Sequence, residues 1–260
     1  MPSSSSRPPA RLDVLGSGIS AINRTDALEV IDGWVRRRER EYVCVANVHS
    51  VMEAHRNPAL RAVMNGSGLT TPDGMPLVWL LKQAGYEHVS RVYGPDLMLD
   101  VCAESARAGY RHYFLGGAAG VADTMVERLR ARFSGLDVAG TLSPPFRPLT
   151  AEEDEDLVRG INDAAPDIVW VGLGAPKQEL WMAEHRARLE APVLIGVGAA
   201  FDFHAGAVRQ APAPLQRAGL EWAFRLAKEP RRLWHRYLLY NPWFVALVAT
   251  QQWRARRAAS

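Results

Sequence analysis

Short apolar runs alternate along this chain with segments of helical period, and no other feature limits the possible folds as much. Runs 42–46, 168–172 and 193–197 hold no charged residue, and 12–16, 111–115 and 136–141 read as further strands. Between them, 25–40, 51–63, 75–84, 95–108, 121–133, 150–164 and 176–188 carry apolar residues at helical spacing, with Asn57-Pro58 interrupting the second. A strand that is apolar at every position is buried on both faces. The fold expected is therefore α/β, a mostly parallel sheet with helices on both faces. The strand pattern is complete by Gly198, so 11–208 reads as a body that should fold without the rest. Residues 1–10, rich in Ser and Pro and lacking the apolar core of a secretion signal, read as a disordered arm.

In open parallel sheets ligands bind at the C-terminal strand ends, so the residues just after each strand are the candidate site. The stretch Leu69-Thr70-Thr71-Pro72-Asp73-Gly74-Met75 is the most informative. Pro72 keeps Thr71 extended, and a helix-like run begins at Met75, so Asp73 should stand at a strand end above a helix N-terminus. A carboxylate there serves either as a helix N-cap or as a general base. Asn47, after the strand 42–46, offers a donor and an acceptor to a sugar, or caps the next helix. Gly116 and Gly117 follow the strand 111–115 and leave room for a phosphate or a nucleobase. Gly174 precedes a helix opened by Pro176, with Lys177 and Gln178 in its first turn. Lysine in a first turn opposes the helix dipole, which points to a bound anion. Arg91, in Arg91-Val92-Tyr93-Gly94-Pro95-Asp96, suits a phosphate or an acidic partner. Asp202-Phe203-His204 follows the last strand, where a structural Asp is the plainer reading. His49, His55 and His204 share no metal-ligand spacing, and the Asp-x-Asp at Asp154-Glu155-Asp156 lies inside the acidic helical run 150–164 and not after a strand, where a nucleotide-sugar's metal would be held. A metal-free site and no cofactor are expected.

The formal net charge is +3, unevenly spread. Residues 209–260 hold ten of the 31 Lys+Arg but two of the 28 Asp+Glu, leaving an acidic-leaning body with a basic tail. Arg209, Arg217, Arg225, Lys228, Arg231, Arg232 and Arg236 lie among Trp, Tyr and Leu, the composition of an amphipathic helix at a membrane interface. The same composition fits a helix docked on the body. Pro230 and Asn241-Pro242 should cut this appendage into short helices, and no stretch is long and apolar enough to span a bilayer. Cys44 and Cys102 sit in apolar runs and read as buried thiols.

Several of these pieces in this order resemble the WecG/TagA/CpsF glycosyltransferases, glycosyltransferase family 26. They are Ala46-Asn47-Val48-His49, Thr71-Pro72-Asp73-Gly74-Met75-Pro76, Arg91 to Leu97, Phe114 to Gly117, Gly172 to Glu179, Gly196 to Asp202, and Leu220-Glu221-Trp222 through Arg232. The resemblance runs from about residue 12 to 245. It implies a Rossmann-like body of the GT-E kind with a helical C-terminal appendage, 209–260, that docks on the membrane and completes the site. It also implies an inverting, metal-independent transfer of a hexose-type sugar from a UDP-sugar to an undecaprenyl-diphosphate-linked saccharide. By the same resemblance Asp73 matches the base, Asn47 a sugar contact, and Arg91 and Gln178 donor-site residues. Arg225 and Arg232 match arginines that reach the diphosphate. Two positions depart from the pattern. Val45 stands where the family usually has Thr, and His235, beside Arg236, stands where a third arginine falls. The partners implied are the UDP-sugar, a polyprenyl-diphosphate-linked acceptor and the inner face of a bacterial cell membrane. A nucleic acid is not among them, and a homo-oligomer is left open.

Two other classes remain. A dinucleotide-dependent enzyme would need a GxGxxG turn after the first strand, and Gly16-Ser17-Gly18-Ile19-Ser20-Ala21 lacks the third glycine. A non-catalytic membrane-assembly protein would need the tail and not Asp73.

Overall fold

The computed structural model describes residues 8–212, 214–215, 219–228, 230–234 and 238–258, without the side chains of 232 and 233. The N-terminal arm up to residue 7, Arg217, His235 and Arg236 lie outside the described residues, as does the side chain of Arg232.

A hairpin comes first, β1 (Arg11–Val14) paired antiparallel with β2 (Ser17–Ser20). The sequence marks only the first of these strands, because Ser17 to Ser20 is short and half polar. Helix α1 (Arg24–Arg37) opens on a reciprocal capping box between Asn23 and Asp26. Then follow β3 (Glu41–Ala46), α2 (Val48–Arg56), α3 (Pro58–Gly66), β4 (Leu69–Pro72), α4 (Met75–Gln83), α5 (Gly94–Ala108) and β5 (Arg111–Gly116). The remainder is α6 (Val121–Arg132), β6 (Asp137–Leu142), α7 (Ala151–Asp163), β7 (Ile168–Gly172), α8 (Lys177–His185), β8 (Val193–Gly196) and α9 (Ala200–Ala205). Asn57 ends α2, and its side chain caps α3 at the backbone N–H groups of Ala59 and Leu60, which accounts for the break at Pro58.

Six strands form one sheet in the order β4-β3-β8-β7-β5-β6, with every neighbouring pair parallel. The apolar runs divide their side chains between two layers. Val43, Phe114, Trp170 and Ile195 pack with α1, α5, α6 and α9 on one face. Cys44, Leu115, Val171 and Leu194 pack with α2, α3, α4, α7 and α8 on the other. This two-sided burial is what the uninterrupted apolar strands require. Both cysteines are buried and free.

Past the sheet come α10 (Glu221–Lys228), α11 (Pro230–Trp234) and α12 (Tyr240–Ala258). Pro230 begins a helix instead of breaking one. Pro242 sits in the first turn of α12, where its missing N–H costs nothing, so 240–258 is a single long helix. Helix α12 lies on α2. Phe244 and Val248 are buried in the same apolar layer as α2, α3 and α4. Tyr240 donates its hydroxyl to Glu53 at 2.6 Å, and Gln251 bonds Leu15 and Asp13 of the hairpin. Cutting the chain before 209 would therefore bare apolar surface of the body. No helix among the described residues is long and apolar enough to cross a membrane.

Candidate active site

Because all six strands run one way, their C-terminal ends share one edge, and a cleft of about 1600 Å³ opens there. Asn47 leaves β3, Asp73 leaves β4, Gly117 leaves β5, Gly174 and Lys177 lie after β7, and Gly198 lies after β8. All six line this cleft.

Asp73 is held by backbone and side chain together. Its N–H donates to the Ala46 carbonyl at 2.8 Å, tying the end of β4 to β3. The N-cap of α4 is Gly74, without a side-chain cap, so the Asp73 carboxylate does not cap the helix. Gly74 has φ −80°, an ordinary extended value, so no special glycine conformation makes this turn. The carboxylate goes instead to Arg91, whose Nη2 lies 3.0 Å from Oδ1 and whose Nε donates to the Asp73 carbonyl at 2.5 Å. The same Nη2 donates to Glu221 Oε2 at 2.7 Å, and Glu221 Oε1 accepts from the Tyr93 hydroxyl at 3.0 Å. The guanidinium stacks 4.0 Å from the centre of the Tyr93 ring. Side-chain exposures of 18% for Arg91, 15% for Asp73 and 14% for Glu221 mean that water screens these charges little.

That setting moves the proton affinities. Burial pushes the Asp73 carboxyl up to about 6. The Arg91 charge draws it back, and the Glu221 charge adds to the rise. Burial also works against the Arg91 charge, but the carboxylates of Asp73 and Glu221 outweigh it and raise its pKa. Burial, followed by the Glu221 charge, raises the Tyr93 phenol well above its ordinary range, so Tyr93 stays a neutral donor. A carboxylate poised near 6 is largely ionised at neutral pH and still able to take a proton.

The other expected residues fall as follows. Asn47 lines the cleft, but its Oδ1 accepts from the N–H groups of His49 and Ser50, so it caps α2 as well. Gly116 faces its neighbour strand and not the cleft. It has φ +132°, and a Cβ there would lie 2.5 Å from the Gly172 backbone. Gly116 is thus a close-approach position between β5 and β7, while Gly117 is the one that borders the cleft. Lys177 and Gln178 are the first two residues of α8. Gln178 is 3% exposed; its Nε2 donates to Glu179 at 2.9 Å, and its buried Oε1 has no partner among the described residues. Arg225, one turn after Glu221 in α10, reaches the cleft with its guanidinium 5.9 Å from the Phe203 ring centre. Asp202 lines the cleft, and His204 bonds the Pro95 carbonyl at 2.9 Å. Among the described residues no three His, Cys, Asp or Glu side chains gather as a metal site would require.

Glu221 and Tyr93 are the residues that sequence reasoning did not select. The tail did carry a signal for the first: Glu221 is one of only two acids in residues 209–260. An acid kept within a cationic, aromatic segment needs a partner elsewhere, and Arg91 is that partner.

A parallel α/β sheet with a buried carboxylate paired to an arginine at its C-terminal edge, and cations from both body and appendage around one cleft, is an arrangement that suits an enzyme for phosphorylated, hydroxyl-bearing ligands. The sequence model of the glycosyl transferase WecG/TagA/CpsF family matches residues 12–258, nearly the whole chain. The chain belongs to this family of glycosyltransferases. It is also similar to the N-acetylglucosaminyldiphosphoundecaprenol N-acetyl-beta-D-mannosaminyltransferase of Bacillus spizizenii. The two are 29% identical over 215 residues, covering 83% of this chain and 81% of the relative.

Proposed function

We propose that this protein transfers a hexose-type sugar from a UDP-sugar to a polyprenyl-diphosphate-linked saccharide at a membrane surface, with inversion and without a metal ion. The observation that carries the reading is the Asp73 carboxylate, paired with Arg91 in a cleft bordered by Lys177 and Arg225. The acceptor hydroxyl oxygen attacks the anomeric carbon of the donor from the face opposite the diphosphate. The new C–O bond forms as the bond from that carbon to the β-phosphate oxygen breaks, and UDP leaves with the electron pair. The hydroxyl proton passes to Asp73. Negative charge grows on the leaving diphosphate, where Lys177, the start of α8 and Arg225 supply positive potential. Arg91, Gln178, Gly117 and Gly174 border the donor, and Asn47 offers its Nδ2 to a sugar. Arg232 is assigned to the diphosphate by family resemblance, and Arg236, beside the position where His235 replaces the family's third arginine, is proposed to act with it.

Membrane association is supported by the exposed Trp234, Leu238, Leu239, Trp243 and Trp253 of the appendage, together with the basic charge of the tail. The relative's acceptor is an N-acetylglucosaminyl-diphospho-prenol, and this protein is proposed to act on the same chemical class.

The test is a panel of radiolabelled UDP-sugars incubated with an N-acetylglucosaminyl-diphosphoryl lipid, with the product linkage read by NMR. One donor should give a disaccharide of inverted anomeric configuration. Retained configuration, or UDP-sugar hydrolysis with no acceptor product, would sink the proposal. Co-sedimentation with anionic vesicles should occur and weaken with salt.

A further inference from the structure

The cleft is larger than the roughly 300–1000 Å³ usual for a single small-molecule pocket, and its border changes in chemistry from one set of elements to another. After β5 and β7 it is bordered by Gly117, Gly174, Lys177 and Gln178. Beyond Asp73 it is bordered by Met75, Trp79 and Leu80 of α4 and by Phe244, Val245 and Val248 of α12, a trough lined by the two helices. The two helices flank it side by side. Tyr240, at the start of α12, stacks on His49, which lines the cleft, while Gln252 meets Gln83 at the far end of α4 at 3.5 Å. At about 1.5 Å per residue the nine residues of α4 make this trough about 13 Å long.

Both helices are apolar on more than one side. Leu77, Val78 and Leu81 of α4 are buried in the body, yet Trp79 is 49% exposed. Phe244 and Val248 of α12 are buried, yet Val245 is 66% exposed. A helix apolar all round is ordinarily covered. Here the second apolar sides border one trough that starts at the catalytic carboxylate.

We propose that the trough between α4 and α12 is the binding site for the first isoprene units of the acceptor's polyprenyl chain. This rests on the acceptor class given above, and it adds that the protein itself holds part of the chain out of the bilayer. Continuity with the Asp73 cleft favours this occupant over a second copy of the chain, which would block the acceptor's path.

The test uses N-acetylglucosaminyl-diphosphoryl acceptors carrying a methyl group or one, two or three isoprene units. They are assayed without detergent or vesicles and below their critical micelle concentrations. KM should fall by at least about tenfold from methyl to triprenyl, since each buried methylene contributes a few-fold. Ala249→Trp, which fills the trough, should collapse that ratio, as should Val245→Asp. Equal KM values across the series, or a ratio unchanged in both variants, would overturn the trough. Variants that alter sedimentation of the free protein while leaving the ratio intact would mark it as a protein contact instead. Calorimetric binding of the same series separates the two proposals. Affinity rising with prenyl length and blocked by Ala249→Trp upholds the trough even if no acceptor is glycosylated, and that second result would count against the transferase reading alone.

Discussion

Asp73 and Glu221 share one guanidinium, and that sharing sets the acid–base behaviour of the cleft. Replacing Asp73 with Asn keeps the shape and removes the proposed proton acceptor. Turnover of Asp73→Asn is expected to fall about 10²–10⁴-fold, with UDP affinity by calorimetry nearly unchanged. A variant retaining a tenth of wild-type turnover would exclude Asp73 as the base. The base must be ionised to act, so kcat/KM should rise with pH through a value near 6. The Glu221 charge holds that value up, so Glu221→Gln should shift the acid limb to lower pH. An unmoved or upward-shifted limb would show that Glu221 does not act on Asp73. The position of Asp73 is legible in sequence because Pro72 and Gly74 bracket it between a strand and a helix. Whether it caps the helix or pairs was not legible. The deciding group, Arg91, lies 18 residues on and reaches Asp73 only once the segment before α5 returns to the same edge.

The elements of the appendage carry two separable consequences. Helix α10 is fastened to the body through Glu221, and one turn later it brings Arg225 into the cleft. If Arg225 faces the leaving diphosphate as proposed, Arg225→Ala should cut turnover on a soluble, short-chain acceptor by at least about tenfold, because such a cation contributes most in a partly dry site. Unchanged turnover would leave α10 as an anchor only. Helix α12 acts on stability. Phe244→Ala removes a buried ring from the layer it shares with α2 and should lower the unfolding free energy by about 3 kcal/mol, read as a shifted urea midpoint at constant slope. No shift would mean that α12 does not dock as described. The sequence pattern points to short helices here because Pro242 reads as a breaker. Its place in a first turn, where proline is tolerated, depends on where the chain enters α12.

For the molecule as a whole, the cations around the cleft are expected to stand in for a metal. Transfer should survive EDTA, and loss of activity restored by Mg²⁺ or Mn²⁺ would refute this. At this scale the sequence determined the parallel α/β class, the two-faced burial and the strand-end positions of Asn47, Asp73, Gly117 and Gly174. Hydrophobic period and turn chemistry are local, and a fully apolar strand has nowhere to go but between two layers. Tertiary structure alone decided the rest. It placed the last strand, β8, in the middle of the sheet between β3 and β7, which brings Gly198 into the cleft. It turned Gly116 toward Gly172, and it brought α12 to the border of the cleft, with Gln252 meeting Gln83 of α4. It also carried Glu221 to a guanidinium 130 residues earlier in the chain. Such meetings depend on how crossovers and docked helices fill space around the whole core, and no local pattern encodes them.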